Sequence, residues 1–154
     1  MNRNQEETNL TAYCGLYCGD CIRYRSKTAD LARELSTKLQ KDRFDNYAEV
    51  EANSIKELNH YHKFLEVLGT IIKLRCDNPC RLGGDGCEQS CKIKGCAQSK
   101  HIDGCWQCNE FEACDKFEFL KPLHGDSPQQ NLRKIKEYGL RKWVEYREKF
   151  YIWL

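Results

Sequence analysis

Eleven cysteines in 154 residues, gathered into two clusters, constrain this chain more than any other feature. Cys14, Cys18 and Cys21 form the first cluster. Cys76, Cys80, Cys87, Cys91, Cys96, Cys105, Cys108 and Cys114 form the second, and none falls in 22–75 or after 114. An odd number of thiols does not resolve into a disulfide framework. The N-terminal MNRNQEETNLTAY lacks the apolar stretch of about 7–15 residues that marks a secretory signal. The expectation is a cytoplasmic chain, where dense, closely spaced cysteines serve metal more often than disulfides. Buried free thiols pack as small hydrophobes, which accounts for one or two cysteines but not for eleven at graded spacings.

The same cysteines inflate the apolar count. They are included in the 40% hydrophobic fraction, and without them the core-forming set falls to about a third of the chain. One lean core is feasible at this length and two independent ones are not expected. No apolar run approaches the roughly 20 residues of a membrane helix, so no membrane association is expected. A net charge of +2 carries no global argument for nucleic acid or acidic lipid.

Zn²⁺ takes four thiolate or imidazole ligands tetrahedrally, often as close pairs from tight turns. Cys105-Trp-Gln-Cys108 and Cys18-Gly-Asp-Cys21 have the two-residue separation that lets both sulfurs reach one ion. Gly19 is expected to supply positive φ to the second turn. Cys76, Cys80, Cys87 and Cys91 form two pairs separated by RLGGDG, whose glycines suit a hairpin-like reversal. Cys96 and Cys114 flank the 105–108 turn. All eleven cysteines are candidate ligands, with Cys105 and Cys108 assigned to one zinc and Cys18 and Cys21 to another. The first cluster offers three sulfurs, so a closed site there must borrow a fourth from the second. Two zinc sites are the central expectation; a third would need a histidine, with His101 the best placed and His124 behind it. Each Zn²⁺ in four thiolates carries −2, so two sites would move the formal charge from +2 to −2. An iron–sulfur cluster is the alternative, since Cys14-x3-Cys18-x2-Cys21 has the three-cysteine spacing of radical S-adenosylmethionine enzymes. The length and strand pattern of those enzymes' partial barrel are missing, which leaves an electron-passing cluster or a thiol redox centre as the iron or sulfur reading.

The expected fold is mainly α: a small single domain over 1–154 with an irregular Cys-rich metal-binding centre and short β-hairpins at the zinc knuckles. Its segments are the first Cys cluster (12–24), a helical insert (25–75), the second Cys cluster (76–114) and C-terminal helices (115–154). In the insert, Thr28 is positioned to N-cap a helix with Leu31, Leu35 and Leu39 on one face. Phe44, Tyr47 and Val50 suggest a second element. Ser54-x-x-Glu57 has the capping-box form, followed by Ile55, Leu58, Tyr61, Leu65, Leu68 and Ile72 at helical spacing. His60 and His62 point to different helix faces and read as solvated. In the tail, Ser127-Pro128 opens a helix through Leu132 and Ile135 that stops at Gly139. Leu140, Trp143, Val144, Arg147 and Phe150 or Tyr151 suggest another, and the tail helices are expected to pack back on the insert.

AYCGLYCGDC, then GCEQSCKIKGCAQSKHIDGCWQCNEFEAC and NLRKIKEYGLRKWV, resemble domain-of-unknown-function family 3795, small cysteine-rich proteins of bacteria and archaea. The resemblance covers 12–24 and about 76–145. It implies zinc binding and no established activity. Cys14, Cys18, Cys21, Cys87, Cys96, Cys105, Cys108 and Cys114 fall on family-like positions, while Cys76 and Cys80 match more loosely.

The functional expectation is a zinc-binding protein of unknown biochemical role, its metal stabilising a domain that contacts a protein partner. A nucleic-acid reading rests on seven basic against three acidic residues in 129–149, with Tyr138, Trp143 and Tyr146 interleaved as stacking candidates. The plainer alternative is a solvated helix with Trp143 in the core. For catalysis, Glu110, Glu112, Asp115 and Asp126 are the acid–base candidates, although Lys116 and Lys121 nearby favour plain surface pairing. No nucleotide loop, HExxH helix or Gly-x-Ser-x-Gly elbow is present, and all-sulfur sites lean structural. The reading leans away from an enzyme.

Overall fold

The computed structural model describes residues 3–84, 90–147, 149 and 152. The chain is mainly α, with helices α1 (Arg3–Leu10), α2 (Lys27–Lys41), α3 (Phe44–Glu51), α4 (Tyr61–Lys73), α5 (Lys92–Ser99), α6 (Lys121–His124) and α7 (Ser127–Tyr138). It divides into two compact units: residues 1–24 with 77–154, and residues 25–76. No described helix is long and apolar enough to cross a membrane.

In the 25–76 unit, α2 packs chiefly on α4 and secondarily on α3. Ser26, not Thr28, caps α2, its Oγ accepting from Ala29 N at 3.3 Å. The buried residues of α2 are Ala29 and Ala32, whereas Leu31 and Leu35 are exposed. The four-residue leucine repeat therefore marks a flank of the helix, because the small alanines occupy its buried face. α3 contributes Ala48, leaving Tyr47 and Val50 exposed. The capping box at Ser54 does not form: the Ser54 and Ile55 N–H groups already donate to Glu51 O (2.9 and 2.8 Å). A 3-10 turn over Lys56–His60 follows, and α4 starts at Tyr61 with Tyr61 and Leu68 buried. His60 and His62 are exposed. Arg75 ties the unit's ends, donating from Nη1 to Ser26 O (3.2 Å) and Asp30 Oδ1 (2.8 Å).

The other unit is built from short turns around one core that includes Leu16, Ile93, Phe117, Leu132, Ile135 and Trp143. The turns around its cysteines are 3-10 turns rather than hairpins: Cys18–Asp20, Cys80–Leu82, Cys105–Gln107 and Phe111–Ala113. An antiparallel bridge joins Thr11 to Tyr17. α7 carries Pro128 in its first turn, buries Leu132 and Ile135, and stops at Gly139 (φ 74°), whose N–H donates to Ile135 O (2.9 Å).

The second tail helix is absent among the described residues. Gly139 is followed by a 3-10 turn over Trp143–Tyr146, in which the adjacent residues Trp143 and Val144 are both buried. Trp143 is anchored in the core by a long-range contact, its indole N–H donating to Thr11 Oγ1 (3.2 Å), and that tertiary contact overrides the local helical pattern. Phe150 and Tyr151, also assigned to that helix, lie outside the described residues.

Candidate metal centre

Four cysteines from three segments line one cavity of about 80 Å³: Cys96, Cys105, Cys108 and Cys114. Cys105 and Cys108 bracket a 3-10 turn in which Cys108 N–H donates to Cys105 O (3.0 Å). Cys105 N–H donates to Tyr13 O (2.9 Å), anchoring that turn to the segment that carries Cys14. Arg81 reinforces the anchor, its guanidinium over the rings of Tyr13 (4.9 Å) and Trp106 (5.3 Å). Cys114 closes the next turn, its N–H donating to Phe111 O (3.4 Å).

Cys96 comes from α5, which ends in a Schellman motif. His101 N–H donates to Gln98 O and Ile102 N–H to Ala97 O, both at 3.1 Å, with His101 at φ 52°. This reversal brings the chain after α5 back past Cys96 toward the 105–108 turn. It also explains His101, which is exposed, holds the left-handed position of the cap, and does not line the cavity.

Ile93, Phe111 and Phe117 supply apolar wall, and Lys100, Glu110 and Lys116 stand along the cavity with the thiols. Burial pushes the Cys105 thiol up to about 12, and the neighbouring Cys114, Cys108, Cys96 and Cys91 sulfurs push the same way. Lys100 Nζ reaches Glu110 Oε2 (2.7 Å) and Cys108 Sγ (3.6 Å). The hydrogen bond to Glu110, followed by the charge of Cys108, raises the Lys100 pKa, and Lys100 correspondingly holds the Glu110 carboxyl low. The sequence reading missed Lys100. Its signal was the four-residue spacing from Cys96, which places both on one helical face.

The remaining described cysteines do not line this cavity. Cys14, Cys18, Cys80 and Cys91 pack, as Cys105 and Cys114 also do, against the core of the 1–24 and 77–154 unit. Burial raises the Cys80 thiol's pKa, the Tyr13 N–H and Arg81 oppose that, and Cys91 adds to it. Cys21 closes the Cys18–Asp20 turn by donating from its N–H to Cys18 O (3.0 Å). Gly19 does not adopt positive φ there; a Cβ would fall 2.4 Å from the Tyr17 ring, so space rather than dihedral freedom requires glycine. Arg147 holds the turn, donating from Nε to Asp20 Oδ2 (2.6 Å) and from Nη2 to Asp20 Oδ1 (2.8 Å), with its guanidinium over Tyr17 (4.7 Å). Cys76 belongs to the 25–76 unit. Cys87 and the end of the RLGGDG reversal lie outside the described residues. Among the described residues, no group of three or more His, Cys, Asp or Glu side chains is drawn together tightly enough to hold a metal ion.

The tail residues sort differently from the stacking reading. Trp143 is fully buried and is core. Tyr138 and Tyr146 stack on each other at 4.0 Å and 16° on the surface. The acid–base candidates are surface groups: Glu112 is paired with Arg133 (Nε to Oε1, 2.8 Å), which lowers its pKa, and Asp115 lies 3.8 Å from Lys116. Asp126 sits at the N-cap of α7 without a side-chain cap bond. His124 is buried in α6, and burial lowers its pKa.

The pattern of DUF3795, a family described as proteins of unknown function, matches residues 10–119. The chain belongs to the DUF3795 family. The DUF3795 match takes in the first Cys turn, α5 and all four cysteines of the cavity. Neither the curated proteins nor the solved structures offer a match to the chain.

Proposed function

We propose that this DUF3795 protein binds zinc through Cys96, Cys105, Cys108 and Cys114, and that the metal stabilises a lean domain whose surface contacts a protein partner. The observation carrying this reading is that these four thiols line one small cavity. Four thiolates match the donor set of a structural zinc and leave no position for a catalytic water. Ligation requires the thiols to close on the ion and lose their protons. Zn²⁺ would supply charge compensation for four sulfurs, and structural sites contribute on the order of 10 kcal/mol to folding. That suits a site in which Cys105, Cys108 and Cys114 bound short 3-10 turns, which have little stability of their own.

Metal analysis and an absorbance spectrum of anaerobically purified protein test the reading. The expected result is a colourless protein with at least one zinc per chain, reduced by one in Cys105→Ser. A brown protein carrying iron and sulfide would replace zinc with an iron–sulfur cluster. Less than one tightly bound metal per chain overturns the proposal.

A further inference from the structure

Lys100 connects two of the four cavity cysteines. Its backbone N–H donates to Cys96 O (3.0 Å), and its ammonium donates to Cys108 Sγ (3.6 Å). Glu110, also on the cavity wall, holds the same ammonium at 2.7 Å. The chain therefore fixes one positive charge on one named sulfur of a group that becomes strongly anionic when deprotonated. Lys116 also lines the cavity, and Asp115 lies 3.8 Å from its ammonium.

We propose that Lys100, positioned by Glu110, shields the Cys108 sulfur of the metal–thiolate centre from electrophiles. The inference rests on the metal reading above. A thiolate reacts through its sulfur lone pair. An ammonium N–H donated to that sulfur withdraws density from the lone pair and must be displaced before attack. A partner just outside the ligand set tunes the bound ligand in this way without touching the ion. Lys100→Arg keeps the charge and a donor, whereas Lys100→Met removes both and retains most of the aliphatic stem.

Iodoacetamide is the probe. A cysteine sulfur attacks its methylene carbon, the S–C bond forms as the C–I bond breaks, and iodide leaves. Alkylation is followed over time at each cysteine by peptide mass spectrometry, with zinc measured in every variant. In Lys100→Met, Cys108 is expected to react about two- to fivefold faster than in the wild type, the range appropriate to an exposed charge pair. Cys96, Cys105 and Cys114 keep their rates. Glu110→Gln accelerates Cys108 by a smaller factor, and Lys100→Arg and Lys116→Met match the wild type. An unchanged Cys108 rate in zinc-loaded Lys100→Met, or equal acceleration of all four cysteines, overturns this inference alone. If Lys100→Met does not fold, Glu110→Gln decides in its place, with an unchanged Cys108 rate overturning the proposal. A metal-free wild-type chain overturns the zinc reading and this one with it.

Discussion

Trp143 Nε1 donates to Thr11 Oγ1 at 3.2 Å, joining residues 132 positions apart, and neither residue has any exposed surface. The Thr11 hydroxyl spends its own proton on Glu7 O (3.0 Å), and the Thr11 carbonyl accepts from Arg81 Nε (3.0 Å). One threonine thus satisfies donors from the tail and from the segment after Cys80, while its hydroxyl ends α1.

Thr11→Val preserves the shape and removes the acceptor, leaving a buried indole N–H unpaired. The expected loss is about 1–3 kcal/mol of stability by urea denaturation. Thr11→Ser, which keeps the hydroxyl, is expected to lose less. In a double-mutant cycle with Trp143→Phe the two losses should fall short of additivity; full additivity would show that the hydrogen bond contributes nothing.

Gly15 has φ 85°, and a Cβ there would lie 2.8 Å from Pro128 O on the first turn of α7. Gly15→Ala is expected to cost about 1–2 kcal/mol for the left-handed backbone alone, with a further loss from displacing α7. The melting temperature reads the sum. A variant that melts with the wild type would show that the turn at 15 does not pack on α7 as described.

His124 supplies a pH dependence. Burial lowers its pKa below 6.5 in the folded chain, so between the folded and unfolded values the unfolded chain binds the extra proton. The stability it contributes is complete above about pH 6.5 and is lost as pH falls through the folded value. Replacing it by His124→Gln should flatten that part of the stability profile relative to wild type. Parallel profiles from pH 7 down to 5 would remove His124 as the source.

The sequence carried the helices well where apolar spacing was regular, as in 61–73 and 127–138, and the stop at Gly139 followed from glycine's access to positive φ. It misled where a neighbour claimed the group that the local pattern needed. Ser54 reads as a cap, but Glu51 O already holds its N–H. Leu31 and Leu35 recur along one face of a helix, but Ala29 and Ala32 take the buried positions. The tail reads as a helix, but Trp143 is drawn to Thr11, a residue no local window contains. The two-residue pairs were legible as tight turns because their spacing is local. That Cys96 and Cys114 share a cavity with Cys105 and Cys108 was not, because it depends on the reversal at His101, where a histidine occupies the left-handed position usually held by glycine.

The bond from Arg25 N–H to Cys76 O, at 2.8 Å, closes the 25–76 unit at its base. A segment whose entrance and exit touch behaves as a cassette. Its length can grow or shrink without altering the gap that the flanking chain must bridge. The three helices of this unit can therefore be lengthened, shortened or exchanged while Arg25 and Cys76 keep their spacing, which makes the unit the natural place for this chain to acquire or exchange a specificity.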